Sequence, residues 1–305
     1  MSTTKPLSEL SVHLQSWGAM ALQASLLRPE IDFGRKMNRV LNDCHIYLLC
    51  RRPLFSFDPD TFNWSSNRVS GNLLYREKGE LKSQPFGFDL MLTGSESTVE
   101  LSPAPHRDMW VLDDKGERVR TMTAQGTNNL EVLYVGHVFE EGKTSVFDRI
   151  SRRGAVQELI AEMQQALPDD EIIIFVFEYL PYKLLAMPGN MRHQSSEEGP
   201  GESRFVSISE RKLSEHQKIC LVKGGLVTYF RPDWQNRGAE IMPALSGDVF
   251  ASCEELDMAG LILEITSERS HLLVYTASSA LIPHHMTTIN LTDPAERASF
   301  FAIKM

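Results

Sequence analysis

The side chains best placed by type and spacing to do chemistry lie between Glu131 and Met163, in EVLYVGHVFEEGKTSVFDRISRRGAVQELIAEM. Tyr134 and His137 flank Gly136 at the end of a short apolar run, Val132 to Val135. A phenol hydroxyl and an imidazole there could orient or deprotonate an attacking group. Arg149, Arg152 and Arg153 follow at i, i+3 and i+4, so a continuous helix would carry three guanidiniums on one side. Fixed cations of that kind suit an oxyanion, above all a phosphate. No spacing supplies a metal site. Cys44, Cys50, Cys220 and Cys253 form no C-x-x-C pair, and His284-His285 are adjacent residues with no carboxylate or Cys at ligand spacing. Ser207 and Ser209 lack a His/Asp pattern, and Gly224-Gly225 lie inside a helix pattern, where they permit close packing rather than cradle a phosphate.

The elements that would position these groups follow from periodicity. Val132–Val135 reads as a strand and Gly136 as a turn. A helix opens at Thr144 or Ser145, with Val146, Ile150, Val156, Leu159, Ile160 and Met163 on its buried face. Pro168 stops it, and EIIIFVFEY beyond is apolar enough for a strand buried on both faces. A second helix starts near Ser209 or Ser214. Ile219, Val222, Leu226 and Phe230 mark its face, and Pro232 ends it.

Tyr134-Val135-Gly136 followed by Arg149 resembles the second half of the GIY-YIG nuclease domain. LVKGGLVTYFRPDWQN, Leu221 to Asn236, looks like that family's last helix and its exit. The resemblance spans roughly 108–236. It implies that Tyr134 helps activate a water, that Gly136 and Arg149 belong to a phosphate site, and that a Glu on the last helix binds one divalent ion. That Glu position falls on Lys223, whose ammonium cannot ligate Mg²⁺. Arg153 stands where relatives often carry His. For the family's first tripeptide, Trp110-Val111-Leu112 is the nearest candidate, and it supplies no Tyr. The implied site is therefore Tyr134, Arg149 and His137 as catalytic groups, with Gly136, Arg152, Arg153 and Lys223 around the phosphate. An active protein would be a metal-dependent endonuclease using Mg²⁺ or Mn²⁺, with Glu158, Glu178 or Glu215 as substitute ligands. Lys223 implies impaired catalysis. The alternative is a non-catalytic protein–protein subunit, for example of a defence or mobile-element system, with the nuclease-like fold as scaffold.

Length and composition set the frame. With 305 residues and 42% hydrophobic content the chain can bury a sizeable core. A net charge of −9 excludes a generally basic nucleic-acid binder, so any such partner must meet a local basic patch. Four cysteines without pairing pattern suit a reducing cytoplasm, and no apolar run approaches the ~20 residues of a membrane span. The expected fold is α/β (α+β): a small mixed sheet flanked by helices at 106–240, behind a β-rich N-terminal domain at 1–105. A C-terminal hairpin and short helix would pack on it at 241–305. Leu10, Leu14, Trp17 and Ala21 favour a first helix over a strand. Phe55, Phe57, Phe62 and Trp64 read as the core of a small β unit, and 187–203 as a polar loop.

Overall fold

Alternating or continuous apolar runs dominate the chain, and most of them become strands. A computed structural model describes residues 10–29, 32–65, 68–89, 96–101, 108–113, 115–124, 126–139, 145–186, 213–241, 249–250, 253–255 and 258–303. The loop expected at 187–203 and the boundary expected at 102–105 lie outside the described residues. The strands are β1 (Leu10–Gln23), β2 (Cys44–Pro53), β3 (Ser56–Phe57), β4 (Asn63–Ser65), β5 (Arg68–Glu77), β6 (Glu80–Asp89), β7 (Glu96–Leu101), β8 (Asp108–Asp113) and β9 (Arg118–Thr123). After them come β10 (Asn129–His137), β11 (Asp170–Tyr179), β12 (Lys183–Ala186), β13 (Gly260–Thr266), β14 (Leu273–Thr276), β15 (Ser279–Ile282) and β16 (His284–Asn290). The helices are α1 (Arg35–Asp43), α2 (Val146–Ser151), α3 (Gly154–Ala166), α4 (Glu215–Phe230), α5 (Gln235–Ile241) and α6 (Pro294–Phe301).

Nine strands form one mixed sheet in the order β15-β14-β10-β2-β11-β1-β13-β16, with β12 also paired to β1. This corrects the expected division at 105 and 240. β1 and β2 come from the first third of the chain, yet they sit in the middle of the same sheet as β10, β11 and the C-terminal strands. Leu10–Gln23 is a strand rather than a helix, because it pairs with β11 on one side and with β12 and β13 on the other. Pairing partners far along the chain overrode its local helical spacing. The N-terminal region's own β texture survives as two small sheets, β3-β5-β4 with β6, and β7-β8-β9. There Phe55 and Phe57 pack with Leu73, Tyr75, Phe86 and Phe88, while Phe62 and Trp64 are exposed.

The two C-terminal strand candidates exist but form no hairpin. β13 pairs with β16 and β14 with β10 and β15, so they stand at opposite ends of the strand order. Ser267–Leu272 joins them and can reach at most ~20 Å. The sheet therefore curls until its two ends meet. His285 of β16 donates to the Val274 carbonyl of β14 (2.9 Å), and Ser267 N–H to the Pro283 carbonyl (2.7 Å).

The curled sheet encloses α4. Lys218 to Leu226 are buried without interruption, as a helix surrounded on every side requires. Gly225 is where it touches the wall: a Cβ there would lie 1.9 Å from Leu263 Cδ1. Ser214 caps α4 through a reciprocal bond pair with Gln217 (3.1 and 3.0 Å). The inner core joins α4 to Leu14, Ile46, Leu48, Val132, Val135, Phe175 and Phe177. On the outer face α1, α2 and α3 cover Leu49, Leu133, Ile172, Ile174 and Val176.

The sheet closure has a consequence for acid stability. His285 is fully buried, with Nδ1 bonded to the Tyr229 hydroxyl (2.9 Å) and Nε2 to Val274, and burial lowers its pKa. The folded state therefore favours neutral imidazole, whereas the unfolded chain takes up a proton below about 6.5. Stability from this group is complete above that pH and declines as pH falls through it. His45 and His137 are also lowered by burial and act in the same direction. Melting curves from pH 7.5 to 5 are expected to show a falling Tm, with a shallower fall in His285→Gln; equal slopes would exclude His285 as a contributor.

Candidate functional site: a basic, tyrosine-floored pocket at a sheet edge

β10 runs antiparallel to β2, with Tyr134 opposite Leu49, Gly136 opposite Tyr47 and His137 opposite Ile46. Gly136 is required by this pairing. A Cβ there would lie 2.1 Å from Tyr47 Cζ, so only glycine lets the Tyr47 ring cross over β10. The Tyr47 and Tyr134 rings lie 6.1 Å apart, and their hydroxyls hydrogen-bond each other. Tyr134 also packs on Gly238 of α5. Burial pushes both phenols above their ordinary pKa, so at neutral pH each is a protonated donor rather than a phenolate.

The outer edge of β10 is occupied in steps. β14 pairs with Asn129–Glu131; Trp234 N–H then donates to the Leu133 carbonyl (3.1 Å). The Gln235 amide accepts from Val135 N–H (3.0 Å) and donates to the Val135 carbonyl (3.2 Å), imitating one residue of a strand. Gly136 and His137 come next along the strand, beyond this cover.

The arginine helix differs from the expected one. Ser145 caps α2, accepting from Asp148 N–H (3.2 Å), but the helix ends at Ser151. Arg153 has extended backbone (φ −91°, ψ 102°) and precedes a new helix, α3. The break sends the three arginines in different directions, correcting the expectation that they share one side. Arg149 is buried and faces main chain: its Nη2 donates to Cys44 O (2.6 Å) and Asn42 O (3.2 Å), and its Nη1 to Val138 O (3.4 Å). Nη1 also lies 3.0 Å from His45 Nδ1. Arg152 is exposed and pairs with Asp148 (3.1 Å). Arg153 is the one whose charge reaches the pocket, acting on Tyr47, Tyr134, His137 and Lys223.

From the other face of the sheet, α4 supplies Lys223, Cys220 and His216, on one side of the helix at i, i−3 and i−7. Lys223 is buried, which pushes its pKa down to about 8; the Arg153 charge lowers it further and Cys220 opposes the fall. His137 lies well below its usual pKa through burial, with Lys223, Arg153, His216 and His45 adding to the effect. His216 stacks face to face on Phe139 (centroids 4.6 Å apart, planes at 5°). Tyr47 and Tyr134 are buried on the outer face of the sheet and Lys223 and Cys220 on the inner face, and half-buried Arg153, His137 and His216 lie near the glycine end of β10 between them.

The structure brings together Tyr134, Gly136, His137, Arg153 and Lys223, and leaves Arg149 one layer behind and Arg152 on the surface. Trp110-Val111-Leu112 lies in β8, within the separate β7-β8-β9 sheet, and has no contact with β10 as a strand neighbour. The strand beside Tyr134 instead carries His45-Ile46-Tyr47. Sequence reading assigned no site residue to this strand and so missed Tyr47; the Ile46-Tyr47 pair was the available signal. His216 and Cys220 carried no signal, since their partner His137 comes from a distant element.

A hard divalent ion does not fit these residues. Mg²⁺ and Mn²⁺ want oxygen donors, and Lys223 occupies the expected carboxylate position. Glu158 is exposed on α3, Glu178 lies against Gly18 and is influenced by Asp43, and Glu215 pairs with Lys218 (2.5 Å). Fold and site together define a mixed α/β protein whose nearly closed sheet has basic side chains gathered near one strand edge. Compared with protein-family models, curated proteins and solved structures, the chain matches none of them. Among the described residues, no helix is long and apolar enough to cross a membrane.

Proposed function

We propose that the protein binds nucleic-acid phosphodiesters at this pocket, as a GIY-YIG nuclease-like protein with impaired cleavage. The observation that carries the reading is the half-buried Arg153, whose charge acts on the hydrogen-bonded Tyr47–Tyr134 pair, on His137 and on Lys223 at the glycine end of β10. A guanidinium with further hydrogen-bond donors close by suits a phosphoryl oxygen. An Ile46-Tyr47 pair on the neighbouring strand, opposite His137 and Gly136, agrees with the resemblance better than the β8 tripeptide did. With net charge −9, the pocket's local field rather than the whole protein's must attract the strand.

The test is fluorescence anisotropy with labelled single-stranded DNA, duplex DNA and RNA across a salt series. Binding is expected to weaken as salt rises, and Arg153→Ala to lower the salt slope by about 1 while weakening all sequences alike. Affinity without salt dependence, or none on all three probes, overturns the reading. Mg²⁺ and Mn²⁺ are expected to yield no cleavage product; product formation would overturn the impairment.

A further inference from the structure

We propose that His137, His216 and Cys220 form a binding site for a thiophilic divalent ion such as Zn²⁺, with an open fourth position on the side of Arg153 and Lys223. The ligand-capable atoms of the three residues all lie within 4.8 Å of one another. A tetrahedral Zn²⁺ site, with bonds of ~2.0–2.1 Å to nitrogen and ~2.3 Å to sulfur, requires closer ligands, so binding would draw the three side chains together. His216 and Cys220 are i and i+4 on α4, a spacing that places two donors over one helix surface. His137 approaches from the end of β10, so the site ties the enclosed helix to the sheet edge.

Three features favour a soft ion. Thiolate and imidazole are its preferred donors, while among the described residues no carboxylate joins the cluster to suit a hard one. The His216 ring is backed by its face-to-face stack on Phe139, which limits the orientations it can adopt. Arg153 and Lys223 lie close enough to offset the negative charge that Cys220 acquires on ligation. The Lys223 charge also acts on His137 and so competes with the ion, which makes it the informative variant. An ion here would leave a coordination position beside the same cations that form the phosphate pocket. The site itself does not depend on that reading, because its three ligands are not the groups that carry it, Arg153, Lys223, Tyr47 and Tyr134.

Titration of reduced, metal-free protein with Co²⁺ tests it optically, apart from any nucleic-acid binding. The expected result is one equivalent taken up with a thiolate-to-metal charge-transfer band and tetrahedral visible bands, both bleached by Zn²⁺. Cys220→Ser, a near-isosteric change whose fold is checked by circular dichroism, is expected to abolish the charge-transfer band. His216→Gln is expected to weaken affinity by 10-fold or more, by loss of one ligand, and Lys223→Met to strengthen it. No band in the wild type, or a band that survives Cys220→Ser and so belongs to Cys44, Cys50 or Cys253, overturns the site. Weaker binding in Lys223→Met overturns the placement of the ion beside that lysine.

Discussion

Arg149→Met is expected to lower Tm by roughly 6–12 °C, whereas Arg153→Ala should leave Tm nearly unchanged and weaken nucleic-acid binding. The two arginines are four residues apart, and a sequence reading assigns both to a phosphate. Their environments separate them. Arg149 is buried and gives its protons to Asn42, Cys44 and Val138 carbonyls, stitching α2 to the ends of α1 and β2. Methionine keeps much of the volume but strips those acceptors of a partner, at about 1–3 kcal/mol for each acceptor that finds no substitute. Arg153 is half-buried at a helix break, and its charge acts on Tyr47, Tyr134, His137 and Lys223. Removing it costs the fold little and the site its half-buried cation. Thermal melts and anisotropy on both variants check this. A stable Arg149→Met that loses binding would reverse the two roles.

Gly136→Ala is expected to be the most damaging single-methyl change near the pocket. The added carbon would sit 2.1 Å from Tyr47 Cζ and 2.4 Å from its hydroxyl oxygen, with the ring body rather than a flexible end in the way. Over-packing of a buried ring typically costs about 1–3 kcal/mol, and this contact belongs at the upper end. The ring must move, so its hydrogen bond to Tyr134 breaks and phosphodiester affinity falls along with Tm. Tyr47→Leu removes the obstacle. In the double variant the penalties should therefore be less than additive, by about 1 kcal/mol or more. Additive penalties would show that Tyr47 does not lie across Gly136.

Local patterning determined much of this protein without help from the fold. The apolar run 132–135, the buried strand at 170–179 and the Ser214-capped helix ending before Pro232 are where their residues put them, because each is specified by neighbours within a turn or a pleat. The short last helix likewise starts at Asp293, whose carboxylate accepts from Ala295 and Glu296 N–H (2.9 and 2.8 Å). Tyr134, Gly136, His137 and Lys223 could be singled out because each stands at the end or on the face of such an element. Pairing across long separations decided the rest. β1 is a strand because distant β11 and β13 flank it, and the sheet closes only because β13 and β14, six residues apart, sit at its opposite ends. The interrupted helix turned Arg149 inward and Arg153 outward, and the register of β2 against β10 brought Tyr47 to the site. Helical spacing alone cannot foresee a two-residue break, and strand alternation gives a face but not a partner. A pocket assembled from the junction of four elements is therefore written in the tertiary contacts, not in any one stretch of the chain.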